Sequence, residues 1–461
     1  MAVTLRIANA AGFLGDNIDA PRRLVEAAEV DYLTLEYLAE LTLSIMARQR
    51  QKNPQLGFAG DLINVARSLT PALAAQEELH LVTNGGGLNP PAAAAAVGQV
   101  LVEAKLGHVP IGVVTGDDLA ERIDELKAAG CPLTNLDTGE PIAKLEAPIV
   151  SANAYLGAAP IVEALAADAR VVLTGRVADA ALCLGPAAHE YGWSWDDWNT
   201  LAAGSVAGHV IECGAQATGG YATEWGSCDL TDPGYPIAEI KRDGSCVITK
   251  PAGSGGVVNR RTVSEQLVYE IGDPTCYATP DVVVDFTTVE LAEVGDDRVQ
   301  LTGARGQAAP DDYKVSLAYA DGYTAAGQLV VYGRDCVDKA AAAADIVFAR
   351  LAHAGVQFAA THRELLGTGD GVPGLHGEAD DARQDIREVV LRLAVRDPRR
   401  AAVERFAKEL APLITGGPAG IAGYAQGRPQ VRPVFAYWPT LVPKSAVEPR
   451  VDVRPAADWT T

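Results

Sequence analysis

At 461 residues the chain exceeds the size at which a single hydrophobic core usually stops growing, which predicts two domains. Apolar residues make up 48% and charged residues 21%, the balance of a folded globular protein and not of a disordered one. A formal net charge of -21 opposes the attraction to phosphate backbones and anionic lipid on which nucleic-acid and membrane-surface binders rely, but a small anionic substrate can still be held by local arginines or helix N-termini.

The seven cysteines are odd in number, widely spaced and free of any C-x-x-C pair, so buried reduced thiols are expected. The N-terminal MAVTLRIANAAGFLGD lacks an apolar run long enough for a signal segment, and no stretch of 18 uncharged apolar residues follows. A cytoplasmic protein is the resulting expectation, with neither nucleic acid nor membrane as partner.

In chain order, short apolar runs alternate with Ala-rich amphipathic stretches, the pattern of βα units around a mostly parallel sheet. Strands are predicted at 3–9, 31–36, 79–83, 110–115, 147–152 and 170–174. Ligands of open α/β sheets collect beyond strand C-termini, so Asn9, Glu36, Asn84, Thr115, Asn153 and Thr174 become candidate site positions by topology.

Particular turns sharpen that set. In ANAAGFLGD, Asn9, Gly12 and Asp16 leave the first strand, with ordinary turn formation as the competing reading. LHLVTNGGGLNPP at 79–91 reads as strand, glycine turn, Asn89 N-cap and helix. Backbone N–H groups of Gly85, Gly86 and Gly87 could then face a phosphate or carboxylate, or the turn could simply need positive φ. SANAYLGAAP places Ser151, Asn153 and Tyr155 at a further strand end. RVVLTGRVADAALCLG places Thr174 and Gly175 at another, with Arg176 able to grip a carboxylate in bidentate fashion or to pair with Asp179 at i,i+3 and do no more than support the helix.

Between 205 and 260 the periodicity weakens, and ECGAQATGGYATEW followed by DPGYP reads as long irregular connections. Cys213 falls there, either as an activated thiolate or as a buried inert thiol. In ITKPAGSGGVVNRRTVSEQL, Lys250 precedes Gly253, Gly255 and Gly256, and Thr262 with Glu265 reads as a capping box. Lys250 could reach an oxyanion or stand as a solvated charge. Strands at 236–240, 245–249, 281–290, 298–302, 313–319, 327–333 and 386–396 and helices at 336–354 and 399–414 make this half α+β. The Gly/Asp-rich 366–382 reads as an exposed loop.

His189 and His209 lie nearest these turns, but no H-x-x-x-H, H-E-x-x-H or Cys/His cluster accompanies them, and no metal site is expected. The G-x-S-x-G elbow and the P-loop are absent too, against an α/β-hydrolase and an NTPase.

Taken together, NAAGFLGD (9–16), DYLTLEYLAE (31–40), TNGGGLNP (83–90), ANAYLGA (152–158), TGRVADAAL (174–182), GHVIECGAQATGG (208–220), KPAGSGGVV (250–258), YEIGDP (269–274), LTGARG (301–306) and YKVSLAYADGY (313–323) resemble the AtuA family along most of the chain. The resemblance implies a bacterial protein of citronellol- and geraniol-type or related branched or polycarboxylic acid degradation, encoded beside acyl-CoA carboxylases and enoyl-CoA hydratases. It carries over no catalytic residues. Some relatives have an additional small C-terminal domain, which a separate companion polypeptide would supply here.

The resulting expectation is an α/β domain at 1–205, an α+β domain at 206–440 and an extended tail at 441–461. The tail's Val434, Phe435, Tyr437, Trp438 and Leu441 should dock on a neighbour or a second subunit, favouring a homo-oligomer. For function, the expectation is an enzyme acting on an acyl-CoA thioester or small carboxylate, as a hydro-lyase or C–C lyase. No cofactor is needed apart from CoA within the substrate. Glu36, Asp179 and Lys250 would act in catalysis. Asn9, Asn84, Gly85 to Gly87, Asn153, Tyr155, Thr174, Gly175, Arg176 and Gly255 would bind substrate. Asn84, Asn153 and Arg176 should converge with Lys250 on one ligand, in a pocket bounded by the 208–225 and 250–258 loops. Loss of the Arg176 side chain should weaken binding and leave the fold intact. The alternative is a non-catalytic acyl-CoA-binding or complex-forming partner.

Overall fold

The computed structural model describes residues 4–372, 386–423 and 427–460, which divide into two compact units, 4–318 with 437–460 and 319–436. In the first unit the βα alternation forms β1 (Leu5–Asn9), β2 (Tyr32–Leu35), β3 (His80–Thr83), β4 (Pro110–Thr115), β5 (Ile149–Ala154) and β6 (Val171–Thr174), close to the expected boundaries. β7 (Ile237–Ile240) and β8 (Cys246–Thr249) follow, then β9 (Tyr277–Ala278), β10 (Val283–Asp285), β11 (Glu290–Gly295), β12 (Arg298–Thr302) and β13 (Arg305–Gln307).

Ten strands form one mixed sheet in the order β11-β12-β8-β7-β1-β2-β3-β6-β4, ending on β19 (Arg450–Pro455). The centre, β1-β2-β3-β6-β4, is parallel, and β7 and β19 join it antiparallel on either side. β2 and β6 are buried at every residue, as parallel strands covered on both faces must be. Helices α1 (Ala20–Ala27), α3 (Asp61–Ala75) and α4 (Pro90–Glu103) share an apolar cluster with Leu33, Leu35, Leu81 and Leu173 of the sheet. Helices α6 (Ala159–Ala166), α7 (Ala181–Tyr191) and α8 (Trp198–Glu212) pack against one another in turn, with α7 also on β1 and β2 and α8 on β1, β7 and β8. Between α1 and α3 runs α2 (Glu40–Lys52), and α5 (Ile123–Ala128) follows β4.

This arrangement differs from the expected one at definite places. The division falls after Ala318, not near 205, because β7, β8, β12 and β11 extend the same sheet beyond β1. β5 is not a member of that sheet; it crosses the end of β4, where Leu119 N donates to Ala152 O and Ala154 N to Asp117 O. Helix α8 runs on to Glu212, through 205–212 where irregular connection was expected, because Ala, Gly and Val at 201–211 bury it on most sides, which removes the amphipathic period. The cap of α9 (Arg260–Leu267) is Asn259 with Thr262, one turn earlier than Thr262 with Glu265. The tail folds back on the first unit: β19 pairs with β4, and Trp438 Nε1 donates to Leu133 O. Trp438 is buried by this folding back, Val434 and Phe435 are half-buried, and Tyr437 and Leu441 stay exposed.

The second unit is an antiparallel sheet in which β14 (Asp312–Tyr332), β15 (Ala360–Leu366), β16 (Glu388–Asp397) and β17 (Ile421–Gly423) take the order β15-β16-β14-β17. β14 is one strand where two, 313–319 and 327–333, were expected; it runs unbroken through Asp321 and Gly322, the glycine at φ +80°. α10 (Cys336–His353) buries Ala340, Ala343 and Val347 against Leu391, Leu393 and Val395, and Phe406 of the helix Arg400–Phe406 completes that core. The expected helix at 399–414 is interrupted into Arg400–Phe406 and Leu413–Gly416. Of the expected loop at 366–382, residues 373–382 lie outside the described residues.

Candidate active site

Parallel pairing of β2, β3 and β6 puts three strand ends side by side, and the residues just beyond them, Glu36, Asn84 and the Thr174–Arg176 turn, meet at one edge of the sheet. Asn84 donates from Nδ2 to Glu36 Oε2 and accepts at Oδ1 from Tyr37 N at 2.8 Å. Glu36 Oε1 accepts from Leu38 N at 2.7 Å, and the Arg176 guanidinium lies 3.7 Å away. Arg176 donates to Leu38 O at 2.6 Å, forms an ion pair with Asp179 at 2.8 Å and stacks over the Tyr155 ring at 4.1 Å.

Only 3% of the Arg176 side chain and 6% of that of Glu36 are exposed, against 32% for Asp179, so the cluster opens toward solvent through Asp179. Burial, reinforced by the Asp179 charge, pushes the Glu36 carboxyl well above the usual range, although Arg176 and Asn84 pull the other way. Burial raises Asp179 likewise, opposed by Arg176 and by a hydrogen bond from Glu36. Burial opposes the charge of Arg176, yet Asp179, Tyr155, Glu36 and Glu40 together raise its pKa, so the guanidinium stays charged. The result is a fixed cation beside two carboxyl groups whose pKa values are both raised by burial.

A buried carboxylate that the sequence reading missed organises this loop. Asp117, just beyond β4, accepts from Arg176 N at 2.8 Å and from Asn153 Nδ2 at 2.8 Å. Its Oδ1 lies 2.2 Å from where a Cβ on Gly175 would stand, so only glycine fits there. Burial raises Asp117 to about 6 despite those two donors. Tyr155 donates to Glu40 at 2.6 Å, and Lys314 lies 5.0 Å from the same ring and 3.7 Å from Glu40.

The Asn9 side chain is held within the chain: its Nδ2 donates to Ile211 O and Glu212 O at 2.8 and 2.7 Å, tying the end of α8 to β1. Thr174 is buried, with Oγ1 donating to Gly175 O at 2.9 Å. The glycine turn is not an open anion cradle: Gly85 N donates to Thr83 Oγ1 and Gly87 N to Asn84 O, and all three glycines are buried. Asn89 stands at the N-cap position of α4, but its side chain makes no capping bond; its Nδ2 donates to Pro54 O and Leu56 O.

Lys250 is not brought to this cluster. Its strand, β8, is separated from β6 by β7, β1, β2 and β3, five strand spacings or about 24 Å. Its ammonium is buried, donates to Ser254 O at 2.8 Å and pairs with Asp297 at 3.0 Å. Gly255 lies in the same loop, exchanging backbone hydrogen bonds with Asp229 and Asp232. The expected bidentate grip of Arg176 on a substrate is changed too, since protein carboxylates occupy the guanidinium. Its removal would leave Glu36 and Asp179 uncompensated, at a cost of about 3–5 kcal/mol, so the fold should not be indifferent to it.

His209 and Glu212 on α8 form a further buried pair at 3.2 Å, whereas His189 sits in the last turn of α7. Cys213, at the end of α8, is pushed up to about 12 by burial and by Glu212, which opposes a reactive thiolate. All seven cysteines are free; Cys183, Cys246 and Cys336 are buried as expected, Cys131, Cys213 and Cys228 partly so, and Cys276 is exposed. Among the described residues no group of three His, Cys, Asp or Glu side chains is arranged to hold a metal ion, and no helix is long and apolar enough to cross a membrane.

Fold and cluster define a mixed α/β protein with a buried carboxyl–guanidinium site at the C-terminal edge of a parallel sheet. The family model described as acyclic terpene utilisation family protein AtuA matches residues 5–453, and the chain belongs to that family. Comparison with curated proteins and with solved structures gave no match.

Proposed function

We propose that the chain is an enzyme of acyclic terpene or branched and polycarboxylic acid breakdown, acting on an acyl-CoA thioester or small carboxylate by proton transfer. The observation that carries this reading is the Glu36–Asp179 carboxyl pair beside the buried Arg176 cation. Two neighbouring carboxyls with raised pKa values can hold and release one proton, which general acid–base chemistry requires.

Asp179, partly open to solvent, takes a proton from the carbon next to the substrate carbonyl. Glu36 behind it stores and returns that proton, and Arg176 keeps both in place. In a dehydration the C–H and C–O bonds break, a C=C bond forms and the departing hydroxyl leaves with a proton as water. Lys314, 46% exposed at the Tyr155 ring, supplies a cation for the substrate's carboxylate or enolate oxygen. Arg176 Nε and Asn153 Oδ1, both buried without a hydrogen-bond partner in the chain, are further groups suited to substrate polar atoms.

The test is a thermal-shift screen of acyl-CoAs and polycarboxylates, followed by mass spectrometry of those that bind, with Asp179→Asn as control. Turnover in the wild type and none in the variant supports the reading. Binding with no conversion of any ligand overturns it in favour of a binding subunit.

A further inference from the structure

Two stretches far apart in sequence meet beside the cluster. Tyr155 N donates to Lys314 O at 2.9 Å, so the pairing of β5 with β14 sets the two side chains next to one another. The Lys314 ammonium lies 5.0 Å from the centre of the Tyr155 ring and 6.0 Å from that of Tyr437, distances at which a ring face attracts a cation. The Arg176 guanidinium lies 4.1 Å from the same Tyr155 ring. One aromatic ring thus joins the cation that serves the Glu36–Asp179 pair to a second cation that serves neither carboxyl.

Lys314 is held in place with its donors unspent. Among the described residues its ion pair is with Glu40 at 3.7 Å, whereas Glu36 and Asp179 pair with Arg176. Glu40 is engaged elsewhere, since its Oε1 accepts the Tyr155 hydroxyl at 2.6 Å. Burial works against the Glu40 charge, but that hydrogen bond, Arg176 and Lys314 hold its carboxyl below the usual range. At 3.7 Å the Lys314 ammonium is too far from Glu40 for a hydrogen bond, and it donates none to any other described residue. An ammonium has three donors, and nearly half of this side chain is open to solvent. Ring faces attract its charge but leave those donors without a strong acceptor. A ligand carboxylate arriving from solvent makes charge-assisted hydrogen bonds that no group of the chain makes. An enolate oxygen, in contrast, forms next to the carbon from which Asp179 takes its proton, beside the Arg176 cation. Of the two anions, the carboxylate is the one that falls to Lys314.

We propose that Lys314 is the specificity-determining residue of the site: it takes the free carboxylate at the far end of a short dicarboxylic substrate, whose other end, a thioester or carboxyl, is activated at Asp179. Tyr155 and Tyr437 hold the ammonium in position, and Glu40 keeps Tyr155 in place through its hydroxyl. The proposal rests on the acid–base reading of Glu36, Asp179 and Arg176 and adds to it the class of acid that the site selects.

The test is a binding measurement and needs no turnover. Glutaryl-CoA and pentanoyl-CoA have acyl chains of five carbons and differ by the free carboxylate alone; glutarate and pentanoate repeat the comparison without CoA. By titration calorimetry on the full-length chain, the member of each pair with the extra carboxylate should bind about tenfold tighter or more. Lys314→Met keeps the stem against the rings and removes the ammonium, so it should abolish that preference while leaving the pentanoyl ligands within about twofold of wild type. Lys314→Arg should retain the preference. If Lys314→Met does not fold, Lys314→Gln carries the same comparison. A wild type without the preference, a preference that survives in the variant, or no binding of any of the four ligands overturns the proposal. So does an equal weakening of both CoA esters, which would place a CoA phosphate on Lys314. A Lys314-dependent preference without conversion of any ligand removes the acid–base reading alone; Asp179-dependent conversion without the preference removes the role of Lys314 alone.

Discussion

The Glu36 carboxyl lies 3.7 Å from the Arg176 guanidinium, and neither side chain exposes more than 6% of its surface. Such a pair is costly to bury and more costly to break, because the remaining partner keeps its desolvation penalty without its counter-charge. The two residues should therefore respond unequally. Glu36, raised well above the usual carboxyl range, can accept neutralisation; Arg176 cannot. Arg176→Ala should lose about 3–5 kcal/mol in urea unfolding, while Glu36→Gln should lose clearly less. Equal losses would mean that Glu36 is fully ionised in the native protein.

The pH dependence of stability should run opposite to ordinary acid denaturation between about pH 4 and 6. Asp117 and Asp281 both titrate in the fold at about 6, well above their usual 3.8, chiefly through burial. A carboxyl whose folded pKa is raised binds more protons in the folded state than in the unfolded one across that window. Stability is then highest below the unfolded pKa and declines as pH rises through the folded pKa. For the fully buried Asp117 the decline is up to about 3 kcal/mol. Thermal unfolding of Asp117→Asn from pH 4 to 7 should show a shallower slope than the wild type; an unchanged slope would show that Asp117 is ionised throughout.

Gly208→Ala should destabilise the chain by about 1–3 kcal/mol, since the new methyl meets the Ala180 backbone, which cannot swing aside as a side chain can. The measurement is denaturant unfolding, and a neutral result would mean that α8 can shift outward without loss.

Lys250→Ala and Asp179→Asn should separate stability from chemistry. Lys250 is tied to Asp297 and Ser254 several strands from Arg176, so its loss should lower the thermal midpoint and leave kcat/KM of an identified substrate within about twofold. Asp179→Asn should do the reverse, retaining binding and reducing kcat by about 100-fold or more. A large kinetic effect from Lys250→Ala would return that residue to the site.

The strand ends carrying Glu36, Asn84 and Arg176 were legible because each strand is a short apolar run that stops at a polar or small residue. What sequence could not say was the lateral order. β6 slips between β3 and β4, which brings Arg176 beside Asn84, and β8 lies beyond β7, which takes Lys250 away. Both outcomes depend on which strands pair, and a common sheet edge says nothing of position along it. Asp117 was missed because TGDDL reads as an ordinary turn. His209 was noted near these turns, but its pairing with Glu212 was not, because a helix buried on most sides loses its amphipathic period; their i,i+3 spacing within an Ala/Gly/Val-rich run was the signal available.

β19 has a consequence for how the chain is made. It lies against β4, and next to it Trp459 reaches Ile111 O across 348 residues of sequence. The smaller unit, 319–436, is contiguous and emerges from the ribosome before β19 does. A chain in synthesis therefore has every strand of the smaller unit available while the larger unit still presents β4 as a bare edge, a template for pairing with other chains. Vectorial synthesis thus leaves the part that carries the candidate site to be completed after the smaller unit, and makes β19 the guard against association during translation.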